Sequence, residues 1–216
     1  MKEITADLAD LRREYRNRPL HRADLDPNPV VQFDRWFKQA TEAEAMDANA
    51  MSIATVDAKG QPSLRTVLLK YYGEDGFVFY TNLGSRKAKD IKNNQQVALL
   101  FYWHELHRQI KILGHAHRNS LADDAKYFMR RPRESQLGAW VSQQSSLIPA
   151  RSVLEKKFAE MKERFKQGEV PLPDFWGGYR IEAKSIEFWQ GRENRLHDRF
   201  RFDRDGSGWQ VGRLAP

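Results

Sequence analysis

The span from Trp189 to Phe200 holds three arginines, Arg192, Arg195 and Arg199, with His197 and the carboxylates Glu193 and Asp198, closed at each end by a large aromatic ring. Flat rings lie against tryptophan or phenylalanine while guanidinium forks grip phosphate or carboxylate oxygens. The mixture therefore suits an aromatic, anionic ligand. A charged hairpin rim in solvent is the competing reading of the same residues.

Three further spans offer anion sites. Arg65 and Lys70 lie five positions apart in Leu64–Lys70. On a regular strand they point to opposite faces and serve two different anions, or else snorkel to water from a half-buried strand. Tyr80–Lys87 runs from a strand end through Gly84 into a helix capped by Ser85. Free N–H groups at that helix start, with Arg86 and Lys87 in the first turn, make an anion site. Cations there oppose the helix dipole, a cost that a bound phosphate offsets. Tyr127, Arg131 and Ser135 follow at intervals of four. Pro132 favours the first turn of a helix, so Tyr127 and Arg131 close one helix and Ser135 opens the next. Phenol, guanidinium and hydroxyl can then converge on one phosphate, with chance spacing as the alternative. A phosphate monoester carries about −1.5 to −2 charges at neutral pH. Two such groups need two cation sets, and the chain offers Arg65, Arg86, Lys87 and Lys70, Arg131.

Composition removes other chemistries. The 216 residues include no cysteine, which excludes a disulfide framework, a thiolate metal site and a thiol nucleophile. His104-Glu105-Leu106-His107 lacks the two-residue gap of H-E-x-x-H, and His115 and His117 have no third ligand at a telling spacing, so no metal is expected. There is no G-x-S-x-G, no Walker loop and no G-x-G-x-x-G after a strand. The net charge of +7 is spread among acidic residues without a Lys/Arg block, which weakens a nucleic-acid reading. The longest apolar run, Val97–Trp103, is far short of a membrane span, and acidic residues stand where a secretory signal needs an apolar run. The expectation is a cytoplasmic protein with no membrane or nucleic-acid partner.

The elements that must position these residues change period along the chain. A short helix is expected over residues 7–17, then a Pro- and Asp-punctuated connector, then a helix from Val30 with Phe33, Trp36, Phe37 and Ala40 on one face. Strands are expected at Ala50–Val56, Leu64–Tyr72, Phe77–Thr81, Val97–Trp103 and Arg108–Arg118, with a helix over Ser85–Asn93. Helices follow at Leu121–Arg131, from Pro132, and at Arg151–Gln167. The tail returns to strands at Gly177–Ala183, Ser185–Gln190, Asp198–Arg204 and Trp209–Arg213. Short strands joined mostly by hairpins, with helices inserted, predict an α+β fold built on an antiparallel sheet or barrel. Residues 1–28 read as an N-terminal segment and possible lid, and 29–216 as one domain.

In order along the chain, Arg65–Lys70, Tyr80–Lys87, Arg131–Trp140, Phe175–Gly178, Phe188–Gly191 and Arg195–Arg199 resemble the pyridoxamine/pyridoxine 5′-phosphate oxidases. The resemblance runs from Leu11 to Pro216 and implies a split β-barrel homodimer with FMN held between subunits. By motif it implies FMN contacts from Arg65, Thr66, Val67, Leu68, Leu69, Lys70, Tyr80, Thr81, Arg86, Lys87 and Gln109 of one subunit, and from Gln144, Ser145, Trp189 and Arg199 of the other. Lys70, Tyr127, Arg131 and Ser135 match the substrate-phosphate grip. Arg195 and His197 match the catalytic pair over the substrate ring, and Arg12 to Tyr15 match an N-terminal segment that can fold over the site. The implied reaction converts pyridoxamine and pyridoxine 5′-phosphates to pyridoxal 5′-phosphate, with oxygen reduced to hydrogen peroxide. A flavin-binding split barrel with another substrate, or with none, is the alternative.

Overall fold

The structure, a computed structural model, describes residues 18–216. The expected helix over residues 7–17 lies outside the described residues. No helix among those described is long and apolar enough to cross a membrane. The chain divides into two compact units: one holds the described residues up to Ala48 with Tyr102–Ile110 and Ile186–Pro216, the other Asn49–Phe101 and Lys111–Ser185.

The elements in order are α1 (Pro29–Glu42), β1 (Ala50–Val56), β2 (Pro62–Leu68), β3 (Tyr71–Gly73), β4 (Gly76–Asn82), α2 (Arg86–Asn93), β5 (Gln96–Trp103), β6 (Arg108–Arg118), α3 (Leu121–Met129), α4 (Arg133–Val141), α5 (Arg151–Arg164), β7 (Trp176–Gln190), β8 (Asp198–Asp205) and β9 (Gly208–Leu214), with one short 3₁₀ turn before α1 and two between later elements. The strand order is β2-β1-β5-β6-β7-β4-β3, with β8 beside β7 and β9 beside β8. The pairs β1–β2, β1–β5, β3–β4, β4–β7 and β8–β9 are antiparallel. This is the α+β sheet the hairpin spacing predicts.

In the first unit, Asn28 caps α1 through a bond from Val30 N to its Oδ1 (2.8 Å), and Pro29 opens the helix where its missing N–H costs nothing. The spacing then buries Phe33, Trp36 and Ala40 on one face. Trp36 meets Phe188 edge-on at 5.2 Å, and Phe188 meets Phe202 at 5.7 Å. Asp198, at the start of β8, accepts from Leu20 N (3.0 Å) and Arg213 Nη1 (2.7 Å), which fixes the strand carrying Arg199.

In the second unit, β1 alternates, burying Met51, Ile53 and Thr55, while β4 is buried along nearly its whole length. Phe128, Leu137, Val170 and Trp176 form a satellite core under α3, α4 and α5, with Tyr80, Tyr127, Trp140 and Phe158 packed against it.

Two expected elements differ. Leu64–Tyr72 is not one strand. Leu68 pairs with Ala50, but Leu69 N donates to Asn49 O (2.8 Å) and Lys70 N to Val78 O (2.8 Å). The chain thus leaves the β1 ladder and joins β4, so strand alternation does not decide where Lys70 faces. Gly177–Ala183 and Ser185–Gln190 are one continuous β7, because exposed Lys184 interrupts the apolar pattern without breaking the ladder.

Gly178 in β7 is needed for a close approach: a Cβ there would meet Asn119 Nδ2 at 2.4 Å and the Tyr80 ring at 2.8 Å. Overpacking of this kind costs about 1–3 kcal/mol. Gly178→Ala is therefore expected to lower the urea midpoint, and an unchanged midpoint would mean that Tyr80 yields without cost.

Candidate active site

A cavity of about 650 Å³ opens in the second unit. Its walls come from the end of β2 and the Lys70 switch, from the end of β4, and from the α3–α4 junction. Of the first cation set Lys87 lines it, beside Thr81 and Gln144, while Arg65 and Arg86 are not among the lining residues; both members of the second, Lys70 and Arg131, line it with Tyr127 and Ser135.

Lys87 follows the helix cap Ser85, which accepts from Ala88 N. Only 7% exposed, Lys87 donates to Gln144 Oε1 (2.7 Å), Thr81 Oγ1 (3.0 Å) and Ser85 Oγ (3.4 Å). None of these is a carboxylate. Burial, with the Arg65 charge adding to it, pulls its pKa down to about 8. A buried ammonium ringed by neutral oxygens is poised for an anion. Arg65 donates to Thr55 Oγ1 and Ser63 Oγ (both 2.6 Å) and lies 3.9 Å from Asp90. Burial lowers its pKa, Asp90 opposes and Arg86 adds. Arg86 is more exposed and reaches Asp57 at 3.9 Å, while its backbone N–H donates to Ser145 Oγ (3.2 Å). Of the expected free N–H groups of α2, two are thus taken by serine side chains. Gln144 and Ser145, which the resemblance assigns to the second subunit, make their hydrogen bonds here to Thr81, Arg86 and Lys87 of the same chain.

At the other set, Tyr127 and Arg131 close α3 and its exit, and Ser135 opens α4, the arrangement read from Pro132. Tyr127 stacks on Tyr80 (4.0 Å, 19°), and Tyr80 on Trp176 (5.3 Å, 8°). Arg131 lies 4.7 Å over the Trp176 ring, and its Nη1 is buried with no hydrogen-bond partner. Burial lowers its pKa against an opposing contribution from Tyr127. Burial also raises Tyr80 to about 12, with Tyr71 and Asp124 adding. An orphaned guanidinium N–H beside a cavity calls for an acceptor from a ligand. Thr66, Val67 and Leu68 also line the cavity; Leu69 is buried.

Gln109, Trp189, Arg195, His197 and Arg199 belong to the first unit. Trp189 and His197 lie 4.6 Å apart. Arg192 N donates to His197 Nδ1 (3.1 Å), so the neutral ring carries its proton on Nε2. Burial, then Arg195 and Arg199, lower the His197 pKa against Asp198. Arg199 is held by Glu187 Oε1 (2.8 Å) and Ala215 O (2.8 Å). Arg195 is exposed and adopts a left-handed backbone (φ 61) beside Asn194 (φ 54). Arg12 and Tyr15 lie outside the described residues.

Sequence reading gave no role to Asn82, Trp176 or Asp124. Asn82 accepts from Gly84 N (2.7 Å) and donates to Ser142 O (2.9 Å), tying the turn before α2 to the end of α4. Its place inside the Tyr80–Lys87 motif was the available signal. For Asp124 there was none.

Residues 37–165 match the family described as pyridoxamine 5′-phosphate oxidase, and residues 176–216 match the pyridoxine 5′-phosphate oxidase C-terminal dimerisation region. A pyridoxine/pyridoxamine 5′-phosphate oxidase of Serratia proteamaculans is 58% identical over 97% of both chains. That of Pectobacterium atrosepticum is 57% identical over 98% of this chain and 93% of its own. Among solved structures, PhzG from Burkholderia lata, in complex with tetrahydrophenazine-1-carboxylic acid, superposes with a TM-score of 0.85 at 29% identity, covering 90% of this chain and 95% of that one. A pyridoxamine 5′-phosphate oxidase-related, FMN binding protein from Nostoc punctiforme shares the split-barrel fold with a TM-score of 0.71 at 14% identity, over 89% of this chain and 100% of that one. With both halves matched in order and near-complete coverage of the relatives, this chain belongs to the pyridoxamine 5′-phosphate oxidase family.

Proposed function

We propose that the chain works as a homodimer that oxidises pyridoxamine 5′-phosphate and pyridoxine 5′-phosphate to pyridoxal 5′-phosphate, with FMN as cofactor. The observation that carries this reading is one cavity lined by buried Lys87 and also by Lys70 and Arg131, the last with its orphaned Nη1. The residues present fit the cofactor: an uncompensated ammonium among Thr81, Ser85 and Gln144 suits a phosphate dianion, and Arg65 and Arg86 add charge nearby. Two-electron oxidation at the substrate's 4′ carbon is the chemistry FMN supplies when bound, with molecular oxygen as final acceptor and hydrogen peroxide as product.

The chain's own residues bind, orient and manage charge. Lys70, Tyr127, Arg131 and Ser135 hold the substrate phosphate, so its ring is placed by an anchored end. In the dimer the Trp189–Arg199 turn of one protomer completes the cavity of its partner. His197, its pKa lowered by burial and its Nδ1 accepting from Arg192 N, presents Nε2–H to the substrate ring and helps to position the reacting end. Arg195 brings a positive charge to the reacting end and eases loss of a proton from the substrate's amine or hydroxyl. Arg195→Leu is expected to lower kcat about 100-fold with bound FMN retained. Normal turnover at saturating substrate would remove Arg195 from the reaction.

PhzG was solved with a carboxylic acid, so the fold also admits other ligands; the convergence of Lys70, Tyr127, Arg131 and Ser135 on one cavity, more donors than a single carboxylate needs, favours a phosphorylated one. The deciding experiment is anaerobic addition of pyridoxamine 5′-phosphate to the purified yellow protein. Bleaching supports the oxidase, yellow without bleaching supports a flavin protein with another substrate, and a colourless protein that takes up no FMN overturns both.

A further inference from the structure

Asp124 lies on α3, fully buried, with no part in the chemistry described so far. Its Oδ1 accepts from Gly178 N (2.8 Å) and its Oδ2 from Arg118 Nη2 (2.8 Å). Gly178 sits opposite Tyr80 in the β4–β7 register. On its other side β6 ends at Arg118, so the ladder stops there. Asn119 N still serves Gly178 O (3.0 Å), and Arg118 Nη1 donates to the same oxygen. The Gly178 N–H is met by a side chain from α3 instead of a strand.

That substitution fixes where α3 sits on β7. Asp124 and Tyr127 are three residues apart and share a helix face. Tyr127 lies flat on Tyr80, which itself rests against the bare backbone of Gly178. Arg131 follows directly, its N–H donating to Phe128 O (3.1 Å) and its guanidinium over Trp176. The carboxylate that closes the ladder thereby also sets the distance between β7 and the Tyr127–Arg131 half of the phosphate grip.

We propose that Asp124 is a positioning residue for the substrate-phosphate grip: by binding Gly178 N–H and Arg118 together it holds α3 at the depth where Tyr127 and Arg131 face the cavity. This rests on the oxidase reading above. An asparagine in its place has one acceptor oxygen for two donors, so either the Gly178 N–H or Arg118 Nη2 loses its acceptor, although Arg118 Nη1 keeps Gly178 O, and α3 shifts.

The test compares wild-type holoenzyme with Asp124→Asn. The KM for pyridoxamine 5′-phosphate should rise about 10-fold and the inhibition constant of inorganic phosphate should rise in parallel, while kcat and the Kd for FMN stay within about twofold. A purely structural role predicts a lower Tm and weaker FMN binding with KM and phosphate inhibition unchanged, and that outcome overturns the proposal. Should Asp124→Asn lose FMN, Asp124→Glu decides: it keeps both acceptors but adds a methylene, and should raise KM about threefold at unchanged kcat. A wild-type KM there, or loss of FMN from both variants, overturns the proposal. Failure of the oxidase reading is seen in the wild type alone, as a flavin that pyridoxamine 5′-phosphate does not reduce.

Discussion

Lys87→Met is expected to weaken FMN binding about 100-fold while leaving the apo-protein at least as stable as the wild type. A hydrogen bond to a charged group contributes about 1.5–3 kcal/mol, and Lys87 makes its bonds from a nearly closed position. With no carboxylate among its hydrogen-bonding partners, its ammonium is poorly compensated until a phosphate arrives. Methionine fills similar space without the charge, so removing it costs the empty site little. Isothermal titration of apo-protein with FMN measures the first effect and thermal melts the second. A Kd within threefold of wild type would place the cofactor phosphate elsewhere.

The same residue sets a pH dependence with a definite sign. Its pKa in the folded protein is about 8, below the ordinary 10.5, so the unfolded chain holds the proton more tightly. The contribution of Lys87 to apo-protein stability must therefore rise as pH goes from about 8 to 10.5. Binding of a phosphate runs the other way, because it needs the cation. The rise in Tm produced by FMN should thus shrink between pH 7 and pH 9 in the wild type, and this trend should be much weaker in Lys87→Met. Equal FMN-induced shifts at both pH values in the wild type would contradict the assignment.

Arg131→Ala is expected to raise the KM for pyridoxamine 5′-phosphate roughly 50-fold with kcat little changed, since a lost phosphate clamp removes binding shared by ground and transition states. The structure adds a second expectation. Arg131 Nη1 is already buried without a partner, and burial already lowers the guanidinium pKa. Deleting it relieves an unsatisfied donor even as the contact with the Trp176 ring is lost, so Tm should move little. Steady-state kinetics and a thermal melt on the same preparation check both. A KM near wild type would take Arg131 out of the grip, and a large fall in Tm would make it a structural residue.

Much of this was legible in the chain itself. Local patterns determined the elements: the 3.6-residue spacing of Phe33, Trp36 and Ala40, the alternation of Ala50–Val56, the Ser85 cap, and Pro132 dividing α3 from α4. Residue types and order also determined the family. Only the tertiary structure decided the rest, because each remaining feature depends on a partner far away in sequence. Lys70 escapes strand alternation because Asn49 and Val78 take over its stretch of the ladder. Lys87 turns inward because Gln144, 57 positions on, meets it there. Asp124, one acid among many in the sequence, becomes the acceptor for a backbone N–H 54 residues away because β6 ends at Arg118. Periodicity encodes which face a residue takes on its own element; what waits opposite that face is set by pairings that no local pattern records.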